Sequence, residues 1–193
     1  KKNQKNNNSR PLIDILFPIH FSPSIFHGGR RNKSDELIRY QVAILETLEQ
    51  LKNLQIVVKP FPKNLNLESS VDERLKRLKH LKVIDNMMLR PCLEKYNVRA
   101  VVMEGLGTPL YDTIGDDLEI FIMLDQNLHF GDRAFSLLKK RVHCFEKIED
   151  LGVEGSLLLK PEFFCGLSPV GLLNDPLLEN LFVFFSITTV FLL

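Results

Sequence analysis

Three features predict an α/β fold, a doubly wound and mostly parallel sheet of about five strands. Short β-branched or apolar runs alternate with stretches of helical spacing, the pattern of repeated βαβ units. The connections between most of them are short, and right-handed crossovers of that kind build a parallel sheet. The stretch from Val98 to Asp125, VRAVVMEGLGTPLYDTIGDDLEIFIMLD, holds one complete unit of strand, glycine turn, short helix and strand.

Taken in order, residues 1–11 read as a disordered lead-in with no initiating Met, which points to a fragment of a longer chain, and no apolar signal-peptide run. Leu12–Phe17 is the first strand, ended by Pro18. A loop carrying Gly28-Gly29-Arg30-Arg31 follows, and Ser34 caps a long helix in which Leu37, Ile38, Gln41, Leu45, Leu48 and Leu51 keep helical spacing to about Asn53. Leu54–Lys59 is the second strand, halted by Pro60 and Pro62. Ser70 and Glu73 form a capping box for a helix through about Lys79, with Leu75, Leu78 and Leu81 on its apolar face. Lys82–Asp85 is the third strand and Met87–Tyr96 the third helix. Val98–Val102 is the fourth strand. Thr108 is its helix's N-cap and Pro109 its first helical residue, a position where the missing N–H costs nothing. That helix runs to about Ile114, and Ile120–Leu124 is the fifth strand. Asp132 caps a last long helix with Phe135, Leu138, Val142, Phe145 and Ile148 along one face and Gly152 as its stop.

Residues 12–152 thus make one Rossmann-like domain, and residues 153–193 an irregular extension broken by Pro161, Pro169 and Pro176. Its end, Leu181–Leu193, is almost wholly apolar but short of the roughly 20 residues that span a bilayer. Membrane contact is compatible with it, a span is not expected.

Composition narrows the function classes. With 193 residues, 45% hydrophobic and 25% charged, the chain has the makings of a soluble globular domain with a real core. A net charge of +1 gives no global reason to expect a nucleic-acid partner. The basic run Arg74–Lys82 has leucines at every third place, which fits a solvated helix face. Three widely spaced cysteines make neither a disulfide framework nor a metal site, so a reducing, cytoplasmic setting is expected. No GxxxxGK[ST], GxSxG, HExxH or CxxC stretch occurs.

In a parallel sheet, the residues just past the strands' carboxyl ends share one rim, where ligands bind. Here that rim collects His20, Lys59, Asp85, Gly105, Gly107 and Thr108, with Asp112 one helical turn further on, and Asp125. A lysine beside backbone N–H groups at a helix start is a reasonable diphosphate cradle. Each residue also has a plain reading: His20 as a loop residue, Lys59 as a solvated strand end, Thr108 as a cap alone, Asp112 as an acid facing water. Gly105-x-Gly107 with Asp125 about 20 residues on is part of a nicotinamide-dinucleotide fingerprint, but Leu110 replaces its third glycine and the unit lies fourth in the chain.

The segments Val57-Val58-Lys59-Pro60-Phe61-Pro62, Val83-Ile84-Asp85 and Gly107-Thr108-Pro109-Leu110-Tyr111-Asp112 resemble the C-terminal nucleotide-sugar-binding domain of GT-B-type glycosyltransferases. The likeness is greatest to the bacterial surface-carbohydrate and capsule-type transferases, with their pattern K-x-H-P … (S/T)-T-x-x-x-E, and it covers about Leu12 to Leu151. Phe61 stands where many relatives have His, Gly107 where a second Ser or Thr is common, and Asp112 where they have Glu. The resemblance implies that Lys59, Gly105, Gly107 and Thr108 bind a donor diphosphate and that Asp112 contacts the ribose. It implies a nucleotide-sugar substrate with no further cofactor and no metal, a glycan or lipid-linked acceptor, and a separate N-terminal acceptor domain. Any base would sit in that domain or on the first loop, where His20 is the candidate. The setting implied is cell-surface polysaccharide assembly, at the cytoplasmic face of the inner membrane. Two alternatives stand beside it: a non-catalytic, degenerate nucleotide-sugar-binding module, and a nicotinamide oxidoreductase.

Overall fold

The computed structural model describes residues 10–19, 31–60, 69–85, 87–105, 107–123, 132–145, 147 and 151. Their strands are β1 (Leu12–Pro18), β2 (Ile56–Lys59), β3 (Lys82–Val83), β4 (Asn97–Met103), β5 (Glu119–Met123) and β6 (His143–Phe145). Between them come α1 (Arg31–Gln50), α2 (Ser69–Arg77), α3 (Leu89–Lys95), α4 (Thr108–Thr113) and α5 (Asp132–Lys139). The strands form one sheet in the order β3-β2-β1-β4-β5-β6, and every pairing is parallel. The expected α/β, doubly wound, Rossmann-like architecture is therefore the one observed.

It has six strands among the described residues, not about five. The apolar row Phe135, Leu138, Val142 and Phe145 does not lie on one helix: α5 stops at Lys139 and the chain turns into β6. Leu138 and Val142 still pack into a common cluster, because the N–H of Val142 returns to the Leu138 carbonyl at 3.0 Å. Helical spacing survives through one turn, and a three-residue strand is too short to show a period of its own. α1 begins at Arg31, so Ser34 lies within the helix and is not its cap.

Burial on both faces explains the largely apolar runs of β1, β2, β4 and β5. On one face Ile15, Phe17, Val58, Ala100, Val102 and Phe121 pack with Ile44, Leu45 and Leu48 of α1 and Val71 and Leu75 of α2. On the other, Leu16, Val57, Val101, Met103, Ile120 and Ile122 pack with Leu89, Cys92 and Leu93 of α3, Leu110 of α4 and Leu138 of α5.

One charged pair sits across the centre of the sheet. Asp14 on β1 is buried, and its carboxylate accepts from the Arg99 guanidinium of β4 at 3.1 Å and from the Gln55 backbone N–H at 2.8 Å. Asp14→Ala leaves the Gln55 N–H unsatisfied beside a strand junction and is expected to destabilise by about 1–3 kcal/mol, read from urea denaturation. The basic run on α2 is locally neutralised: Arg74 pairs with Glu46, Lys76 with Asp72 and Arg77 with Glu73. His80 is held between the carbonyls of Leu51 and Leu54 at 3.2 and 3.0 Å, where it pins the α1–β2 turn.

Candidate functional site

The strand order reverses between β1 and β4, so the switch point lies at the carboxyl ends of these two central strands. Lys59 stands next to it. As the last residue of β2 it pairs in register with Pro18 of β1, and its carbonyl accepts the Ile19 N–H at 3.0 Å. On the other side the Ile84 N–H reaches the Val58 carbonyl at 3.0 Å. The backbone at Lys59 is thus fixed from both neighbours, which makes its side-chain direction a property of the sheet.

That side chain is only 4% exposed, so Lys59 is not a solvated strand end. Its ammonium donates to the Pro60 carbonyl at 3.2 Å. Burial pushes its pKa below the ordinary lysine value, and Cys92, Asp112 and Asp85 pull the other way through their charges. β2 ends at Lys59 and α4, which carries Asp112, follows β4, so the parallel sheet puts both at its carboxyl edge.

Asp112 is the last residue but one of α4 and is half-buried. Its carboxyl is raised above the usual carboxylate range, first by loss of solvation and then by the like charge of Asp116; Arg90 and Lys59 oppose the rise. A folded-state pKa above the unfolded value means the ionised acid destabilises the fold, fully at pH above the raised value and not at all below the unfolded one. Asp112→Asn is therefore expected to give a small rise in Tm at neutral pH that disappears as the pH falls through the raised value. Thermal melts at a series of pH values check this; a Tm lowered at neutral pH would count against it. Functional sites retain such locally unfavourable groups because the ligand needs them.

The turn between β4 and α4 departs from expectation in one respect. Gly107 is the N-cap, Thr108 is the first helical residue, and Pro109 the second; no side chain caps the helix. Thr108 is exposed and lies inside the helix, not at its cap. Gly105 precedes it in the same turn, directly after buried Glu104. His20, Asp125, Phe61, Pro62 and the Gly28–Arg30 loop lie outside the described residues. No three His, Cys, Asp or Glu side chains come together as a metal would require among the described residues, and none of their helices is long and apolar enough to cross a membrane.

Sequence reasoning missed three residues of this neighbourhood. Cys92 on α3 is fully buried, with its thiol pKa pushed up by burial against the opposing charge of Lys59. Arg90 on α3 bonds to the carbonyl of Asp112 at 2.8 Å and to both carboxylate oxygens of Asp116, at 2.6 and 3.1 Å. Arg141, between α5 and β6, reaches the turn after α4. Contacts between distant side chains and backbone carbonyls have no spacing in the sequence to announce them.

No family model matches the chain, and no curated protein matches it. Solved structures do, at a distance. The MAR1 ribonuclease from Caenorhabditis elegans is 18% identical with a TM-score of 0.49, over 80% of this chain and 87% of that one. The spinosyn forosaminyltransferase SpnP is 15% identical with a TM-score of 0.48, over 89% of this chain and 44% of that one. The chain spans less than half the length of SpnP. Likenesses this remote say nothing about activity.

Proposed function

We propose that the carboxyl rim of this sheet binds the diphosphate of a nucleotide-activated sugar and that the chain carries the donor half of a glycosyl transfer. One observation carries the reading: Lys59 is buried at the end of β2 beside the switch point, on the carboxyl edge from which the Gly105–Thr108 turn and α4 leave β4. A buried cation is expensive to keep, and a ligand phosphate is the partner such a position suits. Asp112 is an acceptor in reach of the same ligand, as a ribose hydroxyl requires. Gly105 and Gly107 leave room for backbone to approach a phosphate, and Thr108 offers a hydroxyl at the rim. In transfer, charge grows on the departing diphosphate and Lys59 stabilises it there, an electrostatic contribution that works best where water is excluded. The acceptor, a glycan or a lipid-linked one, and the base belong to a second domain or to the loop of His20. Cell-surface polysaccharide assembly at the cytoplasmic face of the inner membrane is the setting the motif resemblance supports.

The sheet order is also that of dinucleotide-binding domains, which keeps a nicotinamide reading in view. In those domains the glycine turn follows the first strand, whereas Gly105-x-Gly107 follows the fourth. Titration of the protein with UDP, CDP, GDP and NADH separates the readings. Binding of at least one nucleoside diphosphate, lost in Lys59→Ala, is the expected result. Binding of NADH alone, abolished by Asp125→Ala, would replace it with the oxidoreductase reading. Binding of none would leave a non-catalytic interaction module.

A further inference from the structure

α4 is six residues long, far below the length at which a helix holds itself in water. Inside it, the Thr113 hydroxyl donates to the Pro109 carbonyl at 2.8 Å. Its far end and the turn beyond are held from outside by two arginines. Arg90 Nη1 donates to the Asp112 carbonyl, and the Arg90 fork grips the Asp116 carboxylate. Arg141 Nε donates to the Ile114 carbonyl at 2.9 Å, while its Nη2 reaches the carbonyls of Asp116 at 2.7 Å and Leu118 at 3.0 Å. The carbonyls of residues 112, 114, 116 and 118 are all taken by these two guanidinium groups. Asp116 joins the two, with its carboxylate on Arg90 and its carbonyl on Arg141.

Helix ends leave carbonyls without intrahelical partners, and cations there satisfy them. Arg141 does so at unusual depth. Its side chain is among the largest fully buried ones, at 1% exposure, with the acids Glu119, Asp117 and Asp116 acting on its charge. A solvated lysine could cap a helix end at far smaller desolvation cost. What the buried planar fork adds is fixed geometry, since several carbonyls are held at set angles at once.

We propose that Arg141 and Arg90 are positioning residues that fix α4 against the sheet and so hold Asp112 in register with Lys59. The proposal rests on the reading that Lys59 and Asp112 share one ligand. Misplacing a contacting group by about 1 Å can cost about 100-fold in function, which is the reason to anchor so short a helix twice.

Arg141→Lys tests it, because it keeps the charge and removes the fork. In the free protein the Asp112 charge holds the Lys59 pKa up, so a displaced α4 lets that pKa fall further. The Lys59 resonance, followed by NMR on ε-13C-lysine protein and assigned with Lys59→Arg, is expected to titrate at lower pH than in the unaltered protein. Amide exchange at residues 110–114 is expected to speed up by about tenfold or more while that of α1 residues 44–48 stays constant. UDP is expected to bind about tenfold more weakly and inorganic diphosphate to lose clearly less, because the arginines hold the far end of α4 at Asp112 and not its start at Thr108. Arg90→Lys, the milder change, shows the same pattern and serves if Arg141→Lys does not fold. An unchanged Lys59 titration with unchanged exchange in α4 overturns the proposal, as does equal weakening of UDP and inorganic diphosphate. If the unaltered protein binds no nucleoside diphosphate, the functional reading falls, while the Lys59 titration still decides this one.

Discussion

Lys59→Met is expected to weaken nucleoside diphosphate binding by about 10- to 100-fold, the worth of one charge-assisted contact, without loss of stability. The two halves of that expectation have one cause. Lys59 is buried, and its pKa lies below the ordinary lysine value. Between that lowered value and the unfolded one, the unfolded chain binds more protons than the folded one, so stability rises with pH across that window. Below the window the folded protein carries the full penalty of a buried ammonium. Methionine fills similar space with no charge to desolvate, so Tm at neutral pH should hold or rise. Binding is the reverse case, because a phosphate favours the protonated lysine. Affinity should therefore fall as the pH climbs through the lowered pKa, earlier than an ordinary lysine would allow. Calorimetric titrations across pH, beside thermal melts, measure both. A methionine variant that binds as well as the unaltered protein would remove Lys59 from the site; one that is markedly less stable would make it a structural residue.

The largest effect on folding is expected from Arg141→Ala, about 4 kcal/mol of destabilisation, within the range for breaking a buried charged network. Three backbone carbonyls lose their donor together, and each unsatisfied buried acceptor costs roughly 1–3 kcal/mol before water relieves it. The acids facing Arg141, led by Glu119, lose their counter-charge as well. A shift of the urea midpoint by less than that of Asp14→Ala would show that water replaces the guanidinium easily, contrary to this account.

The sequence carried the elements whose signal is local. β1, β2, β4 and β5 are buried on both faces, so each appears as an apolar run bounded by Pro, Gly or a polar turn. Their alternation with helices specified a parallel sheet, and a parallel sheet in turn placed Lys59 and Asp112 on one rim. β6 escaped because its residues continue the helical spacing of α5, and only the turn at Lys140 separates the two. The Thr108 and Ser34 caps slipped because several Ser, Thr or Gly residues lie near each helix start, and the backbone chooses among them by geometry that no spacing records. The Arg90 and Arg141 anchors were invisible for a different reason. Their partners are carbonyls, which every residue has.

The Asp14–Arg99 pair has a consequence for how the chain reaches its native state. The two residues are 85 positions apart, and the strands that carry them are direct neighbours at the middle of the sheet. The first half of the sheet, β1 with β2 and β3, therefore keeps one long flank of β1 open until β4 is made. During synthesis that flank waits on the ribosome for its partner, and an open strand edge is a template for pairing with the wrong chain. Closing so long a loop also makes the β1–β4 junction a slow step. A nascent chain released before β4 emerges is expected to aggregate, whereas one released after it has the whole centre of the sheet in hand.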